Sequence, residues 1–329
     1  MSRAAQIDAF LAAHGWGSAE RVPLAGDASF RRYERVRHGR RHAILMDAPP
    51  EREDVRPFLA IDRLLRRWGY SAPRVLAVDV AAGLLLLEDL GEDGFTSRLA
   101  RDPASAPVLY EAAVALLVDL HRRLPPARIP PYDMTALLGE ARLFAEWYLP
   151  ARDPAVDPAP LCAALEERFR PLLRDLATAT EVLVLRDYHA DNLLWMSRRR
   201  GLRRVGLLDF QDARRGHPAY DLVSLLQDAR RDVPESLEEE MIAFYCERAQ
   251  PRDRAAFRRA YHLLGAQRAT KVIGIFTRLH RRDGKPRYLA LLPRVWDHLE
   301  RNLAAARLDG LRAWFDEVAP PACRRRELP

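Results

Sequence analysis

Two short apolar segments enclose a polar loop near the middle of the chain. VLVL precedes the loop RDYHADN (186–192), and LLWM follows it. Because Asp and Asn are favoured in turns, the loop alone is compatible with a solvated turn. A third apolar segment, VGLL (205–208), ends directly at Asp209. The Arg-rich turn RRRGLRR (198–204) between the second and third segments predicts a β-hairpin, which would bring Asp209 close to the loop.

This arrangement indicates chemistry on phosphate groups. Asp187, Asn192 and Asp209 would bring together two carboxylates and a carboxamide, which repel one another without a cation. Oxygen ligands of this kind suit Mg²⁺, which usually takes one or two carboxylates together with substrate phosphates. The pattern D-x-x-x-x-N followed by D-F is typical of phosphoryl transfer in kinase-like folds, where the first Asp orients the acceptor hydroxyl. We therefore predict ATP and Mg²⁺ as cofactors.

The rest of the sequence predicts an α+β protein with two lobes. Residues 1–89 alternate helical and strand-like patterns and would form a small, strand-rich nucleotide-binding lobe. Residues 90–329 are mainly helical and would form the catalytic and acceptor-binding lobe. The predicted helices are 4–14, 52–68, 106–123, 134–149, 158–178, 219–229, 235–249, 253–278 and 288–316, the last with a break.

The composition limits the cellular environment and the partners that we expect for this protein. No window reaches the roughly 18 uninterrupted apolar residues of a membrane span, and Asp8 interrupts the apolar N-terminus, unlike a signal peptide. Three widely spaced cysteines predict reduced thiols. The net charge of +7 comes with interspersed acids and an arginine bias over only two lysines, so it does not indicate a nucleic-acid partner. We expect a cytoplasmic monomer with a small-molecule substrate.

The motifs resemble those of the aminoglycoside phosphotransferase family of kinase-like enzymes, whose pattern is roughly H-G-D-x-H-x-x-N, then I-D-F/W, then P-x-x-D-L. The corresponding sequences here are LRDYHADN (185–192), LDF (208–210) and PAYDL (218–222). The resemblance implies a two-lobed protein-kinase-like fold, with Asp187 as the catalytic residue and Asn192 and Asp209 as metal ligands. It implies that Asp221 is a buried acid that supports the loop. His189 would brace the loop by hydrogen bonds or, alternatively, take part in proton transfer.

A narrower resemblance covers nearly the whole chain. Its motifs are similar to those of the bacterial anomeric kinases of N-acetylmuramate and N-acetylglucosamine, which act in cell-wall recycling. The shared motifs are GDASFRRY (26–33), ILMDAPP (44–50), LLLLEDLG (84–91), LRDYHADNLLW (185–195) and the segment from 273 to 296. The resemblance implies phosphorylation of the anomeric hydroxyl of one or both amino sugars.

The nucleotide side departs from the general kinase pattern. Met46 stands where the phosphate-pairing Lys is expected, and no lysine precedes Lys271. Leu185 replaces the first His of the family pattern. These gaps are compatible with an inactive enzyme, but the narrower group of sugar kinases also lacks that Lys.

An arginine is the expected replacement for the missing Lys. Backbone N–H groups of the Asp27–Phe30 turn, which includes Ser29, would hold phosphate. The candidates for the guanidinium that helps them are Arg31, Arg32 and Arg41, because guanidinium groups pair well with phosphate oxygens. The predicted interlobe hinge is Glu88-Asp89-Leu90, where the backbone of Glu88 and Leu90 would meet the adenine edge.

The acceptor is expected to bind near a basic segment. Residues 268–287 carry seven basic residues and one acid, which is the wrong sign for a polycationic aminoglycoside. A carboxylate-bearing sugar would suit an arginine there. We predict acceptor contacts for Arg281 and Lys285, and for Asp212, which alternatively caps a helix. A solvated basic helix end is the other interpretation of the segment.

Taken together, the residues and the resemblance predict an ATP-dependent sugar kinase. Kinases of other hydroxylated acceptors, such as aminoglycosides, choline or homoserine, are the first alternative. A nucleotide-binding pseudokinase is a second alternative, which the presence of all three residues Asp187, Asn192 and Asp209 disfavours.

Overall fold

The computed structural model of the protein describes residues 1–24, 30–326 and 328. Its strands are β1 (Glu20–Pro23), β2 (Arg32–His38), β3 (Arg41–Asp47), β4 (Val75–Asp79), β5 (Leu84–Glu88), β6 (Val182–Val184), β7 (Leu193–Trp195), β8 (Val205–Leu207) and β9 (Arg214–Gly216). Its α-helices are α1 (Arg3–Ala13), α2 (Arg56–Arg67), α3 (Phe95–Arg101), α4 (Ala106–Leu120), α5 (Met134–Leu143), α6 (Leu149–Arg152), α7 (Pro158–Leu173), α8 (Ala219–Leu226), α9 (Glu235–Ala249), α10 (Arg254–Arg281), α11 (Leu292–Ala305), α12 (Asp309–Val318) and α13 (Pro321–Arg324).

The chain divides into two compact units. The first comprises Met1–Ala112 and Ala190–Asp212, and the second comprises Ala113–His189 and Ala213–Pro329. The predicted α+β class, with strands first and mainly helices afterwards, is confirmed. The lobe boundary after Asp89 stays a prediction.

The first unit is built on a five-stranded antiparallel sheet in the order β1-β2-β3-β5-β4. The alternation of side chains gives the sheet two faces. One face packs against α1 and forms a hydrophobic cluster with it. The residues of this cluster are Ile7, Phe10, Leu11, Trp16, Val36, Ala43, Leu45, Ala77, Leu84 and Leu86. The other face carries Tyr33 and Met46, which are directly opposite one another in the β2–β3 pairing.

The β7–β8 hairpin predicted from the sequence is present in the first unit. Leu193 pairs with Leu207, and Trp195 pairs with Val205. The ring of Phe210, which follows the hairpin, stacks on Phe58 of α2 at 5.0 Å between centroids. This stacking attaches the residue directly after Asp209 to α2.

The second unit is organised around α10. Its middle is buried almost continuously from Leu263 to Lys271, because it packs against α5, α8 and α11. Gly274 allows α10 to lie close against the end of α5, because a Cβ at this position would overlap the carbonyl group of Leu143. A π-helical turn over Phe144–Tyr148 follows at this point. It interrupts the single helix that the periodicity predicts for 134–149.

One strand of the second unit was missed by the sequence analysis. β9, with the sequence RRG, pairs with β6, so that Val182 lies opposite Gly216. An Arg-Arg-Gly segment has no apolar alternation, and the side chains of Arg214 and Arg215 hold the strand by hydrogen bonds to the carbonyl oxygens of Pro131 and Ile129.

Helix α4 is apolar along its length. The segment Pro103–Leu120 has the length and composition of a membrane span. This is weak evidence for one, since core helices pass the same test, and Leu116, Leu117 and Leu120 have no exposed surface.

Candidate active site

A buried carboxylate holds the chain just before Asp187. Asp221 in α8 has no exposed surface, and its two oxygens accept hydrogen bonds from the backbone N–H groups of Leu185 (2.6 Å) and Arg186 (2.8 Å). The hydroxyl of Ser224 donates to the carbonyl oxygen of Arg186 at 3.0 Å. The φ of Arg186 is +70°, which is unfavourable for a residue with a Cβ. These bonds hold the peptide in that conformation.

Asp187 lies among cations of the second unit. Its side chain is 33% exposed, and Nη1 of Arg268 lies 4.0 Å from its carboxylate. Burial raises the pKa of Asp187, but Lys271, Arg268 and Arg186 outweigh burial and lower it to about 2. Asp187 is therefore ionised at neutral pH. It can accept a hydrogen bond from an acceptor hydroxyl, but it is a weak base when it acts alone.

Glu140 in α5 is the counter-ion of this cation cluster. It forms ion pairs with Arg186 and with Nζ of Lys271, the latter at 3.0 Å, and it accepts a hydrogen bond from Tyr132. Burial would raise the pKa of Glu140, but the charges of Lys271 and Arg186 outweigh burial and the pKa is lowered. The sequence analysis gave no role to Glu140 or to Arg268, because their contacts depend on how α5 and α10 pack.

His189 is buried beside Asp187. Its backbone N–H donates to the carbonyl oxygen of Asp187 at 3.2 Å, and its Nε2 lies 3.4 Å from Nη1 of Arg230. Burial is the largest cause that lowers the pKa of the imidazole, so the neutral form prevails at neutral pH. These contacts fit the predicted bracing role of His189, which stays a prediction.

Asn192 and Asp209 lie at the open end of the β7–β8 hairpin in the first unit. The carbonyl oxygen of Asn192 accepts a hydrogen bond of 3.0 Å from the N–H of Leu208, so the ladder continues to the residue before Asp209. The φ of Asp209 is +54°, and its side chain is 45% exposed. One carboxylate and one carboxamide at a partly exposed hairpin end fit Mg²⁺, which takes its remaining ligands from water and substrate phosphates. In the described part of the chain, no three His, Cys, Asp or Glu side chains form a metal-binding group.

Arg31 is the candidate arginine that lies close to Asp209. Its Nη1 is 3.5 Å from the Asp209 carboxylate, and its Nε is 3.4 Å from Glu53. Burial lowers the pKa of Arg31, but the charges of neighbouring groups, including Asp209 and Glu53, outweigh burial and raise it. Burial also raises the pKa of Tyr33, on the same sheet face as Met46, to about 12. A guanidinium in this position can pair with an anion that approaches Asp209.

The other predicted nucleotide residues have different surroundings. Arg32 is exposed on β2. Arg41 donates to the carbonyl oxygen of Gly15 at 2.7 Å and therefore lies on the α1 side of the sheet. Ser29 lies outside the described residues.

The predicted hinge is held by ion pairs. Glu88 accepts a hydrogen bond from the backbone N–H of Arg74 at 3.1 Å and one from Arg199 at 2.8 Å. Asp89 is paired with Arg35, which donates from Nε at 2.7 Å. Leu90 is buried. The sequence did not single out Arg35, because its strand, RYERVRH, carries several charged residues and nothing in it separates the buried one from the exposed ones.

The predicted acceptor residues occupy two places. In the first unit, Gln211 donates to both Asp209 (2.9 Å) and Asp212 (3.3 Å). In the second unit, Arg281 ends α10 and donates to the carbonyl oxygen of Ala151 at 3.1 Å, while Lys285 follows in the next turn. Along α10, Arg268 lies roughly 20 Å before Arg281, at about 1.5 Å per residue. The acceptor roles of Asp212, Arg281 and Lys285 stay predictions.

Sequence comparison shows relatives that match almost the entire chain. A model of the phosphotransferase enzyme family matches residues 20–259. An N-acetylmuramate/N-acetylglucosamine kinase of Caulobacter vibrioides is 39% identical over 98% of this chain and 98% of its own. A kinase of the same name from Pseudomonas aeruginosa is also 39% identical, over 89% of this chain and 87% of its own.

Structural comparison shows the fold. The choline kinase LicA of Streptococcus pneumoniae superposes with a TM-score of 0.65 over 94% of this chain and 99% of its own, at 12% identity. The ADP-bound aminoglycoside phosphotransferase APH(2'')-Ib superposes with a TM-score of 0.57 over 85% of this chain and 92% of its own, at 17% identity. The predicted kinase-like fold is confirmed. On these grounds the chain belongs to the phosphotransferase enzyme family and is a phosphotransferase.

Proposed function

We propose that this protein is an ATP-dependent sugar kinase that transfers the γ-phosphoryl group to the anomeric hydroxyl of N-acetylmuramate and N-acetylglucosamine. The observation that carries the proposal is Asp187, an ionised carboxylate near the start of the loop 186–192, where Asp221 holds the backbone N–H groups of the two preceding residues. The names of the relatives, which span nearly the whole chain, support the choice of acceptor. The same relatives support a role in cell-wall recycling.

Asp187 would act mainly by orienting the acceptor. Its carboxylate accepts a hydrogen bond from the anomeric hydroxyl and directs that oxygen towards the γ-phosphorus. Because its pKa is about 2, it takes the proton late, when the new P–O bond has made the hydroxyl acidic. This order of events suits the loose transition state of phosphoryl transfer, in which positioning and charge stabilisation supply most of the catalysis.

The first unit would supply the nucleotide side. Asn192 and Asp209 would hold Mg²⁺, which neutralises charge on the β- and γ-phosphates when it is bound. Arg31 would move from Asp209 to a phosphate oxygen and so take the place of the absent lysine, because a guanidinium pairs well with phosphate. Glu88 and Leu90 would present backbone groups to the adenine.

Charge favours a neutral or acidic acceptor over a cationic one. Lys271, Arg268 and Arg186 act on the Asp187 carboxylate, and the segment 268–287 carries seven basic residues and one acid. A polycationic aminoglycoside or a quaternary ammonium is disfavoured beside such a segment, whereas an acidic sugar is not. This argues against the aminoglycoside and choline alternatives.

The proposal also covers the setting of the reaction. We infer a monomeric, cytoplasmic enzyme with a small-molecule substrate. Cys162, Cys246 and Cys323 are free thiols, which suits a reducing compartment.

A phosphorylation screen tests the proposal. Purified protein, Mg²⁺ and ATP are incubated with N-acetylmuramate, N-acetylglucosamine, choline, homoserine and an aminoglycoside, and the phosphorylated position is located by ³¹P and ¹H NMR. We expect product only with the amino sugars, at the anomeric oxygen. Asp187→Asn should lower kcat by orders of magnitude and leave ATP binding unchanged. Product with choline, homoserine or the aminoglycoside alone, or an active Asp187→Asn variant, would contradict the proposal.

A further inference from the structure

Asp228 is a buried carboxylate with an unused oxygen. It lies two residues after the end of α8 and is 2% exposed. Its Oδ1 accepts a hydrogen bond of 2.9 Å from the backbone N–H of Arg230. Its Oδ2 is buried and has no hydrogen-bond partner among the residues that the structure describes. Nearly all buried polar atoms in proteins are hydrogen-bonded, and a charged one without a partner is costly. A bound ligand would explain why this oxygen is kept.

Short contacts connect Asp228 to the loop of Asp187. Arg230, whose N–H is held by Asp228, lies with its Nη1 3.4 Å from Nε2 of His189. The N–H of His189 in turn donates to the carbonyl oxygen of Asp187. The charge of Asp228 also acts on the His189 imidazole directly, because it opposes the lowering of that pKa by burial. The unused oxygen therefore belongs to the immediate surroundings of Asp187, within the second unit.

The neighbouring basic side chains have other contacts. Arg230 contacts His189 and extends over the ring of Phe276, 5.9 Å from its centroid. His298, which is also buried next to this segment, lies with its Nδ1 3.1 Å from Arg301. In the described part of the chain, neither side chain donates a hydrogen bond to Oδ2 of Asp228. Asp228 thus differs from Asp232, four residues later, whose two oxygens are both taken by Arg294 at 2.6 and 3.0 Å.

We propose that Asp228 is an acceptor-binding residue whose Oδ2 accepts a hydrogen bond from a hydroxyl or amide N–H of the amino sugar. This inference rests on the proposed function. An ionised carboxylate has only acceptor sites, so its ligand must bring a donor. Sugar hydroxyls and the N–H of an acetamido group are such donors, whereas a trimethylammonium group has none. Asp228 would therefore select for hydroxyl- and amide-bearing acceptors as well as position them.

The variant Asp228→Asn tests this directly. Its carboxamide oxygen still accepts the N–H of Arg230, while an NH₂ donor replaces Oδ2 and opposes the donor of the ligand. Steady-state kinetics of the full chain are measured with each amino sugar at saturating Mg·ATP, and with ATP at saturating sugar. Asp232→Asn, in the same segment but exposed and paired with Arg294, is the matched control. Thermal unfolding is recorded for each protein.

We expect the KM for the sugar to rise about 10- to 100-fold in Asp228→Asn, as for the loss of a hydrogen bond to a charged group. The KM for ATP should stay within about twofold, and Asp232→Asn should resemble the wild type. Sugar analogues that lack one hydroxyl or the acetamido group extend the test. The analogue that lacks the group bound by Asp228 should be a much poorer substrate than the parent sugar for the wild type. For Asp228→Asn, the analogue and the parent sugar should be phosphorylated about equally well.

Each outcome of these measurements supports or overturns the acceptor-binding role of Asp228. An unchanged sugar KM in Asp228→Asn would mean that Oδ2 binds only a water molecule, and would overturn this inference while the sugar kinase remains. Equal rises in both KM values with a lower melting temperature would mean a structural role only, and would also overturn it. If the wild type phosphorylates no amino sugar, the proposed function fails and this inference fails with it. Should Asp228→Asn not fold, Asp228→Ser retains an acceptor for the Arg230 N–H and carries the same expectation.

Discussion

Oδ1 of Asp221 accepts a hydrogen bond of 2.8 Å from the backbone N–H of Arg186, the residue that precedes Asp187. The same carboxylate binds the N–H of Leu185 at 2.6 Å. Two amide donors on one carboxylate fix the peptide that carries Asp187, and the carboxylate is itself fully buried in α8. The position of Asp187 thus depends on a helix that follows it by more than 30 residues in the chain.

Asp221→Asn should therefore impair both folding and turnover. The NH₂ group of Asn would face one of the two backbone N–H groups, so a buried amide loses its acceptor, at a cost of about 1–3 kcal/mol in the free energy of unfolding. We expect kcat to fall about 100-fold because Asp187 is no longer held. The control is Asp253→Asn, which also caps two backbone N–H groups, at the start of α10. Asn caps helices as well as Asp, so the control should change little, and an equal effect of the two substitutions would contradict the argument.

Arg31→Gln tests the nucleotide side. Arg31 lies near Asp209 and Glu53, and we expect its guanidinium to pair with phosphate when nucleotide binds. Its loss should raise the KM for ATP about tenfold, the worth of a charge-assisted hydrogen bond, without changing the KM for the sugar. Arg37→Gln, an exposed substitution on the same strand, is the control. A KM for ATP that is unchanged in Arg31→Gln would leave the phosphate contact to Arg32 or to backbone groups.

The parts of the fold that the sequence predicts are those set by local patterns. Turn residues between short apolar segments predicted the strands around Met46 and Leu86, and the apolar segments around the Arg-rich turn predicted the β7–β8 hairpin next to Asp209. β9 was missed because its sequence, RRG, carries no such pattern.

Contacts between distant elements were not predictable. Lys271 and Glu140 meet only because α5 and α10 pack closely at Gly274. The cations that lower the pKa of Asp187 could be counted in the sequence, but their distance from Asp187 could not. The lack of a hydrogen-bond partner for Oδ2 of Asp228 likewise could not be predicted, because it depends on how the second unit folds.

The protonation of His298 makes the free energy of unfolding depend on pH. Burial, followed by the charge of Arg301, lowers the pKa of His298 to about 4, whereas an unfolded histidine has a pKa of about 6.5. Between these values the unfolded chain binds more protons, so the free energy of unfolding falls as the pH is lowered, by up to about 1.4 kcal/mol per pH unit from this group. Above about pH 6.5 its effect is constant. Urea unfolding from pH 7 to pH 4 should show a shallower loss of stability in His298→Gln, and not in His42→Gln, which changes an exposed histidine. Parallel curves for wild type and His298→Gln would contradict this assignment.

Arg186 stands at the glycine position of the family pattern H-G-D-x-H-x-x-N quoted in the sequence analysis. Its φ of +70° is one that glycine adopts without strain. Comparing Arg186→Ala with Arg186→Gly separates the backbone from the side chain. Both variants remove the ion pair with Glu140, which should lower the free energy of unfolding by about 1–3 kcal/mol. Only Ala keeps the Cβ that the left-handed conformation disfavours, so Gly should be the more stable of the two by about 1 kcal/mol, even though glycine gains entropy in the unfolded chain. Thermal and urea unfolding measure this ranking. If Ala equals or exceeds Gly in stability, the loop does not require a left-handed residue before Asp187, and the bonds from Asp221 hold it in another conformation.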